Sequence, residues 1–263
     1  MARTIQQLFD LSGKSALITG GSRGLGLQMA HALGEAGARI MLSARKAPEL
    51  EQACAELQAA GIDARWIAAD CARDDEIARL ASETLQRMGE LDILVNNAGA
   101  AWGAPAEDHP IAAWDKVMNL NIRGYFLLSQ AIAKQSMIAR RSGRIINIAS
   151  IAGLGGNPPA MNTIAYNTSK GAAVNFTRAL GAEWGKYNIT VNAICPGFFP
   201  TKLSQGAIDA LGHEAMASHA PLLRLGDDED LKGLCLLFAS DAGKHITGQW
   251  MAVDGGVSVV TGG

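Results

Sequence analysis

The chain has 263 residues, 48% of them hydrophobic and 18% charged, which is enough apolar material to fill the core of one large domain and excludes intrinsic disorder. Lys and Arg number 23 against 25 Asp and Glu, a net charge of −2, so no basic surplus exists to offset a phosphate backbone and no nucleic acid is expected as a partner. Thirty glycines beside eight prolines point to tight turns and close helix–strand approaches rather than to a low-complexity chain.

In chain order, apolar runs read as strands over 15–19, 39–43, 65–69, 93–96, 145–149, 190–194 and 249–253. Between them, apolar residues three and four apart predict helices over 24–36, 48–60, 74–88, 111–139, 165–187 and 228–240. Near-continuous apolar strands alternating with helices imply an α/β fold: one seven-stranded parallel sheet covered by helices on both faces. No composition break, linker or repeat divides the sequence, so residues 1–263 are expected to form a single domain. The least periodic stretch, 197–227, carries Gly197, Gly206, Gly212, Pro200 and Pro221, as a substrate lid or an ordinary surface excursion would.

Four widely spaced cysteines without a CxxC pair, and five histidines without a ligand-like pairing, predict no metal and a reduced compartment. Asp10, Lys14 and Arg23 break up the first thirty residues, so no export signal is expected and the reading is cytoplasmic. Residues 145–169 are free of charge, but Pro158, Pro159 and several glycines and asparagines make them a buried strand and loop rather than a membrane span, and no membrane is expected as a partner. The sequons at Asn167 and Asn188 are set aside because a chain without an export signal does not meet the glycosylation machinery.

The first strand runs through Gly20, Gly21, Ser22, Arg23, Gly24, Leu25 and Gly26 straight into a helix. Main-chain N–H groups and the helix dipole at such a junction hold a diphosphate, and absent side chains permit close approach. Glycine also serves tight turns and helix packing, so it is the strand-to-helix context that makes this a dinucleotide site. An acid at the end of the second strand would bind a ribose 2′-hydroxyl, but Ser43, Ala44, Arg45 and Lys46 stand there instead. With Arg23 in the turn, these cations suit an extra phosphate, so NADP(H) is expected to be preferred while use of NAD(H) stays open.

Four motifs in this order, TGGSRGLG at 19–26, NNAG at 96–99, YNTSK at 166–170 and CPG at 195–197, resemble the short-chain dehydrogenase/reductase family across nearly the whole chain. The resemblance implies a single Rossmann-type, NAD(P)-binding catalytic domain over residues 1–263, in which Tyr166 is the catalytic acid/base, Lys170 its electrostatic partner and a ribose ligand, Ser150 the carbonyl-polarising hydroxyl, and Asn121, rather than Asn119, the organiser of a proton-relay water. It further implies that Asp70 and Cys71 meet the adenine, that Asn97, Ala98 and Gly99 line the ribose side, and that Pro196, Gly197, Phe199 and Thr201 lie by the nicotinamide. Taken one at a time these residues have plainer readings: Ser150 and Asp70 as caps, Tyr166 and Lys170 as a surface pair, Pro196 and Gly197 as a turn.

A small-molecule carbonyl or alcohol is the expected substrate, with Trp102, Leu154, Asn157, Met161, Phe198 and Leu203 around it. Tyr166 follows Ser150 by sixteen residues, somewhat more than the family's usual interval, so the Gly-Asn-Pro-Pro segment at 156–159 should reshape one wall. The sequence is similar both to 3-oxoacyl thioester reductases and to sugar-acid or polyol dehydrogenases of the gluconate 5-dehydrogenase kind; a dinucleotide-binding sensor without turnover is the reading from another class. The family usually forms homotetramers, and Gly171, Ala172, Ala173, Val174 and Phe176 would suit helix packing between subunits, as would the uncharged tail 257–263.

Overall fold

The computed structural model describes residues 2–260. Seven parallel strands form one sheet in the order β3-β2-β1-β4-β5-β6-β7: β1 (Ser15–Thr19), β2 (Arg39–Ala44), β3 (Ala64–Ala68), β4 (Ile93–Asn96), β5 (Gly143–Ile148), β6 (Ile189–Pro196) and β7 (Trp250–Val253). The expected seven-stranded sheet with helices on both faces is therefore present, and structures of the comparison proteins described below share it.

Alternation along the strands explains why both faces are covered. Ala16 and Ile18 of β1, Ile40 and Leu42 of β2, and Ile93 and Val95 of β4 pack on one face, whereas Leu17, Met41 and Leu94 point to the other. Helices α2 (Gly24–Glu35), α3 (Ala47–Ala59) and α11 (Lys232–Ala239) cover the first face through Met29, Leu33, Leu50, Cys235 and Phe238. Helices α4 (Asp74–Met88), α6 (Gly124–Ile132) and α8 (Ile164–Trp184) cover the second through Ile77, Leu80, Leu128, Ile132 and Leu180. Each fully buried Leu or Ile contributes about 1.5–3 kcal/mol, and the central strands β1, β4 and β6, buried at every position, can place such residues on both faces.

Several elements differ from the sequence reading for local reasons. A short helix, α1 (Ile5–Phe9), precedes β1, closed by a reciprocal cap in which Gln7 N–H donates to Thr4 Oγ1 at 3.3 Å and Thr4 N–H donates to Gln7 Oε1 at 2.9 Å. The helix expected over 111–139 begins as α5 (Ile111–Met118) but carries two π-turns, Asn119–Arg123 before α6 and Ala133–Met137 before α7 (Ile138–Arg140). Helix α11 starts at Lys232, later than expected, because Arg224 clamps Asp230 at 2.5 and 2.7 Å and Asp227 N–H donates to the same carboxylate, making 227–230 a turn.

The segment after β6 holds two short helices, α9 (Gln205–Leu211) and α10 (His213–Ser218), hinged at Gly212 with φ +85°. Met216, Ala217 and Leu225 form a small core of their own against Phe198. The last residues of the apolar tail, 261–263, lie outside the described residues. Among the described residues, no helix is long and apolar enough to cross a membrane.

Candidate active site

The chain leaves β1 toward β2 and β3, then returns to the other side of β1 as β4. Strand order thus reverses between β1 and β4, which opens a crevice beyond their carboxyl ends, where ligands of open parallel sheets bind. Thr19, the last residue of β1, straps the crevice together: its Oγ1 accepts from the N–H groups of Asn97 and Ala98, both at 3.0 Å. Asn97 answers by donating Nδ2 to the carbonyls of Thr19 at 2.9 Å and Gly20 at 3.2 Å.

Two glycines of the turn serve this strap. A Cβ at Gly20, where φ is +63°, would stand 2.8 Å from Asn97 Nδ2, and one at Gly26 would collide with the Gly20 carbonyl. Gly24, with φ +52°, instead faces the crevice, where a Cβ would stand 3.4 Å from Thr201 Cγ2. Arg23 caps α2 without a side-chain hydrogen bond to it, so the first-turn N–H groups of Gly24, Leu25 and Gly26 face a cradle fit for an anion. Ser22 is half-buried in the same turn, and the Leu25 side chain packs into the core, so Leu25 presents only its main chain.

A second group meets where β5 ends. Ser150 lies two residues past Ile148 in extended backbone, and its Oγ accepts from Ala152 N–H at 3.1 Å, capping a 3₁₀ turn at Ile151–Gly153. That turn seats directly on α8, for a Cβ at Gly153 would be 2.5 Å from the carbonyl carbon of Lys170. Tyr166 and Lys170 stand one turn apart on α8, with Lys170 Nζ 5.7 Å from the centre of the Tyr166 ring and 5.6 Å from that of Tyr125. Lys170 donates to the Ile148 carbonyl at 2.6 Å, and Tyr125 Oη donates to the same oxygen at 3.1 Å.

Asn121 is fully buried within the first π-turn, whereas Asn119 is exposed. Its Oδ1 accepts from Ala100 N–H at 2.8 Å, and its Nδ2 donates to the Ala100 carbonyl and to Ser169 Oγ, both at 2.9 Å. The side chain is thereby fully engaged as a brace between the loop after β4 and α8. Gly99 lies in the space between, since a Cβ there would be 3.4 Å from Asn121 Oδ1 and 3.6 Å from Lys170 Nζ. Ser150, Tyr166, Lys170 and Asn121 therefore surround one end of the crevice, opposite the glycine turn.

Burial sets the electrostatics of this group. It draws the Lys170 ammonium down to about 8, and it raises the Tyr166 phenol above its ordinary value while the Ser150 hydroxyl pulls it partly back. Burial also lifts the Cys195 thiol to about 11, so this cysteine at the end of β6 is an inert filler.

The remaining sequence-predicted residues divide by what their side chains face. Arg45 and Lys46 are exposed at the end of β2, with Lys46 Nζ 3.1 Å from Glu49. Asp70 accepts from Ala72 N–H at 3.0 Å and so shapes the entry to α4, while Cys71 is buried, its thiol raised to about 12 and its carbonyl closely approached by Gly124. Pro196 closes β6, and Gly197 lets the chain pass Asp254, where a Cβ would come within 2.7 Å. The Phe199 ring lies in the main core beneath Gly226, so only its main chain borders the crevice.

Around the mouth, Trp102 is exposed with Lys116 Nζ 5.8 Å from its ring, and Leu203 is exposed. Asn157 instead donates to Thr163 Oγ1 at 2.9 Å and Asn167 Oδ1 at 3.2 Å, tying the 156–159 segment to α8, while Phe198 anchors α10. Both act as braces rather than as free pocket walls. Gly153, Tyr125 and Glu49 belong to this region and were not singled out by the sequence reading. Only Glu49 left a signal, an acid three residues after Lys46.

The family model for short chain dehydrogenases matches residues 14–211. The chain belongs to that family. Among its relatives, the rhamnolipids biosynthesis 3-oxoacyl-[acyl-carrier-protein] reductase of Pseudomonas aeruginosa is 38% identical over 94% of this chain and 97% of its own length. Gluconate 5-dehydrogenase of Gluconobacter oxydans is 34% identical over 96% of this chain and 97% of its own. A crystal structure of a gluconate 5-dehydrogenase from Burkholderia cenocepacia J2315, in complex with NADP and tartrate, superposes with a TM-score of 0.92 at 34% identity, covering 98% of this chain and all of that one. Two short-chain dehydrogenase lineages with different substrates in their names thus lie at similar distance from this chain.

Lys170 supplies a pH signature. Because its value in the folded chain, about 8, lies below the ordinary lysine value of 10.5, the unfolded chain holds the extra proton between these limits. This residue's contribution therefore favours folding increasingly as pH rises through that window. An NMR titration of the lysine side chains in the protein alone should show one midpoint near 8 that vanishes in Lys170→Met; a parent spectrum with every lysine at its ordinary value would contradict the burial of this ammonium.

Proposed function

We propose that this short-chain dehydrogenase transfers a hydride between the nicotinamide of NADP(H) and a ketone or secondary alcohol. The observation that carries the reading is the placement of Tyr166 with Lys170 Nζ 5.7 Å from its ring, beside the Ser150 turn and across the crevice from the glycine turn. When bound, the nicotinamide supplies or accepts the hydride, and geometry and charge come from the chain.

The residues present fit such a cofactor. Gly20, Ser22, Gly24, Gly26 and the main chain of Leu25 would hold the diphosphate, with Arg23, Arg45 and Lys46 meeting a 2′-phosphate. Asp70 and Cys71 would border the adenine, and Asn97, Ala98 and Gly99 the ribose. Pro196, Gly197, the Phe199 main chain and Thr201 would border the nicotinamide, while Lys170 would turn its ammonium to the adjoining ribose. NAD(H) fits the same cradle without engaging the three cations.

In the direction of reduction, Ser150 Oγ donates to the substrate oxygen as negative charge develops on it. Tyr166 gives up its phenolic proton to that oxygen. Its value, raised by burial, keeps the phenol protonated at neutral pH, the form a donor needs. Lys170 stabilises the phenolate left behind and passes a proton onward, and Asn121 holds Lys170's surroundings in register through Ala100 and Ser169. The segment 197–227, hinged at Gly212, closes over the crevice as a lid.

For the substrate, the exposed Trp102 and Leu203 with the half-buried Leu154 and Met161 give the mouth an apolar wall that supports a partly apolar ketone of the 3-oxoacyl thioester class. The second reading, a sugar acid or polyol, draws support from the gluconate 5-dehydrogenases at 34% identity. Tyr166→Phe should lower turnover by about 10²–10⁴-fold with nucleotide affinity nearly unchanged, and undiminished turnover would overturn the assignment. Cofactor oxidation over a panel of a 3-oxoacyl thioester, 5-ketogluconate and small diketones separates the two substrate readings, and binding without turnover across the panel would instead point to a sensor.

We further propose a homotetramer. Ala173 and Val174 are buried within the chain, so the faces left for partners are the Phe126–Phe176 edge-to-face pair on α6 and α8, and Trp250 and Met251 on the edge strand β7. Light scattering at micromolar protein should give four chains per particle, and a stable monomer would contradict it.

A further inference from the structure

The three cations expected to meet a 2′-phosphate do not stand alone. Arg23, from the glycine turn, places Nη1 2.7 Å from Glu49 Oε2, and Lys46, at the end of β2, places Nζ 3.1 Å from Glu49 Oε1. The first pair joins two separate elements, the glycine turn and the first turn of α3, and the two cations grip opposite oxygens of one carboxylate. Glu49 is also the least exposed of the three, at 33% against 52% for Arg23 and 63% for Lys46. Lys202, from the segment after β6, adds positive potential at the same carboxyl, which Lys46 and Arg23 hold below the usual carboxylate range.

We infer that Glu49 is a built-in competitor for the 2′-phosphate site, a carboxylate that occupies the Arg23–Lys46 clamp and narrows the chain's discrimination between phosphorylated and unphosphorylated nucleotides. The inference rests on the NADP(H) reading and deepens it. A clamp whose charge is partly offset by a carboxylate gains less from an incoming phosphate than a bare one, because the phosphate must displace the acid or share the cations with it. The same acid gives a ribose that carries a free 2′-hydroxyl an acceptor nearby, so both effects act in one direction. By this route a strand end with no acid of its own would still accommodate NAD(H).

The ordinary reading of Glu49, as a helix N-terminal acid paired with Lys46 three residues before it, accounts for the Lys46 contact but not for Arg23, which comes from another element. Calorimetry with adenosine 2′,5′-bisphosphate and adenosine 5′-monophosphate distinguishes them without any turnover. In Glu49→Gln, and likewise in Glu49→Ala, the ratio of the two affinities should widen by about fivefold, an effect of the size expected for one partly screened charge. The widening should shrink as salt is raised toward about 0.5 M, where screening weakens the interaction between exposed charges. An unchanged or narrowed ratio, with Arg23→Ala still weakening the bisphosphate selectively, would overturn the role of Glu49 and leave the NADP(H) reading standing. Equal affinity of the parent for both nucleotides, unaltered by Arg23→Ala, would overturn both.

Discussion

A buried ammonium at the end of a central strand governs this molecule. Lys170 lies between the rings of Tyr125 and Tyr166 and is held by the Ile148 carbonyl, an environment that costs free energy unless the charge keeps its hydrogen bond and its aromatic faces. Ile148 closes β5, which is laddered to β4 on one side and, at Ile148 itself, to Ile194 of β6 on the other, so the sheet places this carbonyl. The remaining features of the site follow from keeping α8 in that position. Gly153 lets the Ser150 turn touch the helix backbone at Lys170, and Asn121 ties the loop after β4 to Ser169.

Much of the fold was legible because both faces of the sheet are buried. A strand closed on two sides shows as an uninterrupted apolar run, and 15–19 and 93–96 agree with β1 and β4 to the residue, as 74–88 does with α4. The departures arise where tertiary contacts override local pattern. No periodicity announces a π-turn, which inserts a residue without changing the apolar face much, and Asn121 sits inside one. The start of α11 is moved by an Arg224–Asp230 clamp between residues six apart, which competes with helix formation. The capping signal Thr4-x-x-Gln7 was present in the sequence, but five residues are too few to give a helical period.

Legibility of the site followed a similar rule. Tyr166, Lys170 and Ser150 were readable from motif and spacing, and the structure brings them together at one end of the crevice. Phe198 and Asn157 were read as pocket walls, because an aromatic or amide beside a pocket looks the same in sequence whether it faces the ligand or supports the wall. Here Phe199 fills the core under Gly226, Phe198 anchors α10, and Asn157 binds Thr163 and Asn167. Glu49 and Tyr125 act through residues distant in sequence, at 26 positions from Arg23 and 23 from Ile148, which no local pattern encodes.

On the proposed function the chain divides its labour between a buried catalytic end, built on β5 and α8, and a nucleotide end, where exposed charges of both signs surround the glycine turn. Under that proposal protonation chemistry depends on the first and cofactor choice on the second. A crystal structure of the protein soaked with NADP(H) tests the division most directly. The account predicts the nucleotide seated across the β1–β4 crevice with its nicotinamide between Tyr166 and Thr201, and with Lys170 and Tyr166 both turned toward it. A nucleotide bound elsewhere, or one that leaves the phenol and the ammonium facing apart, would contradict it.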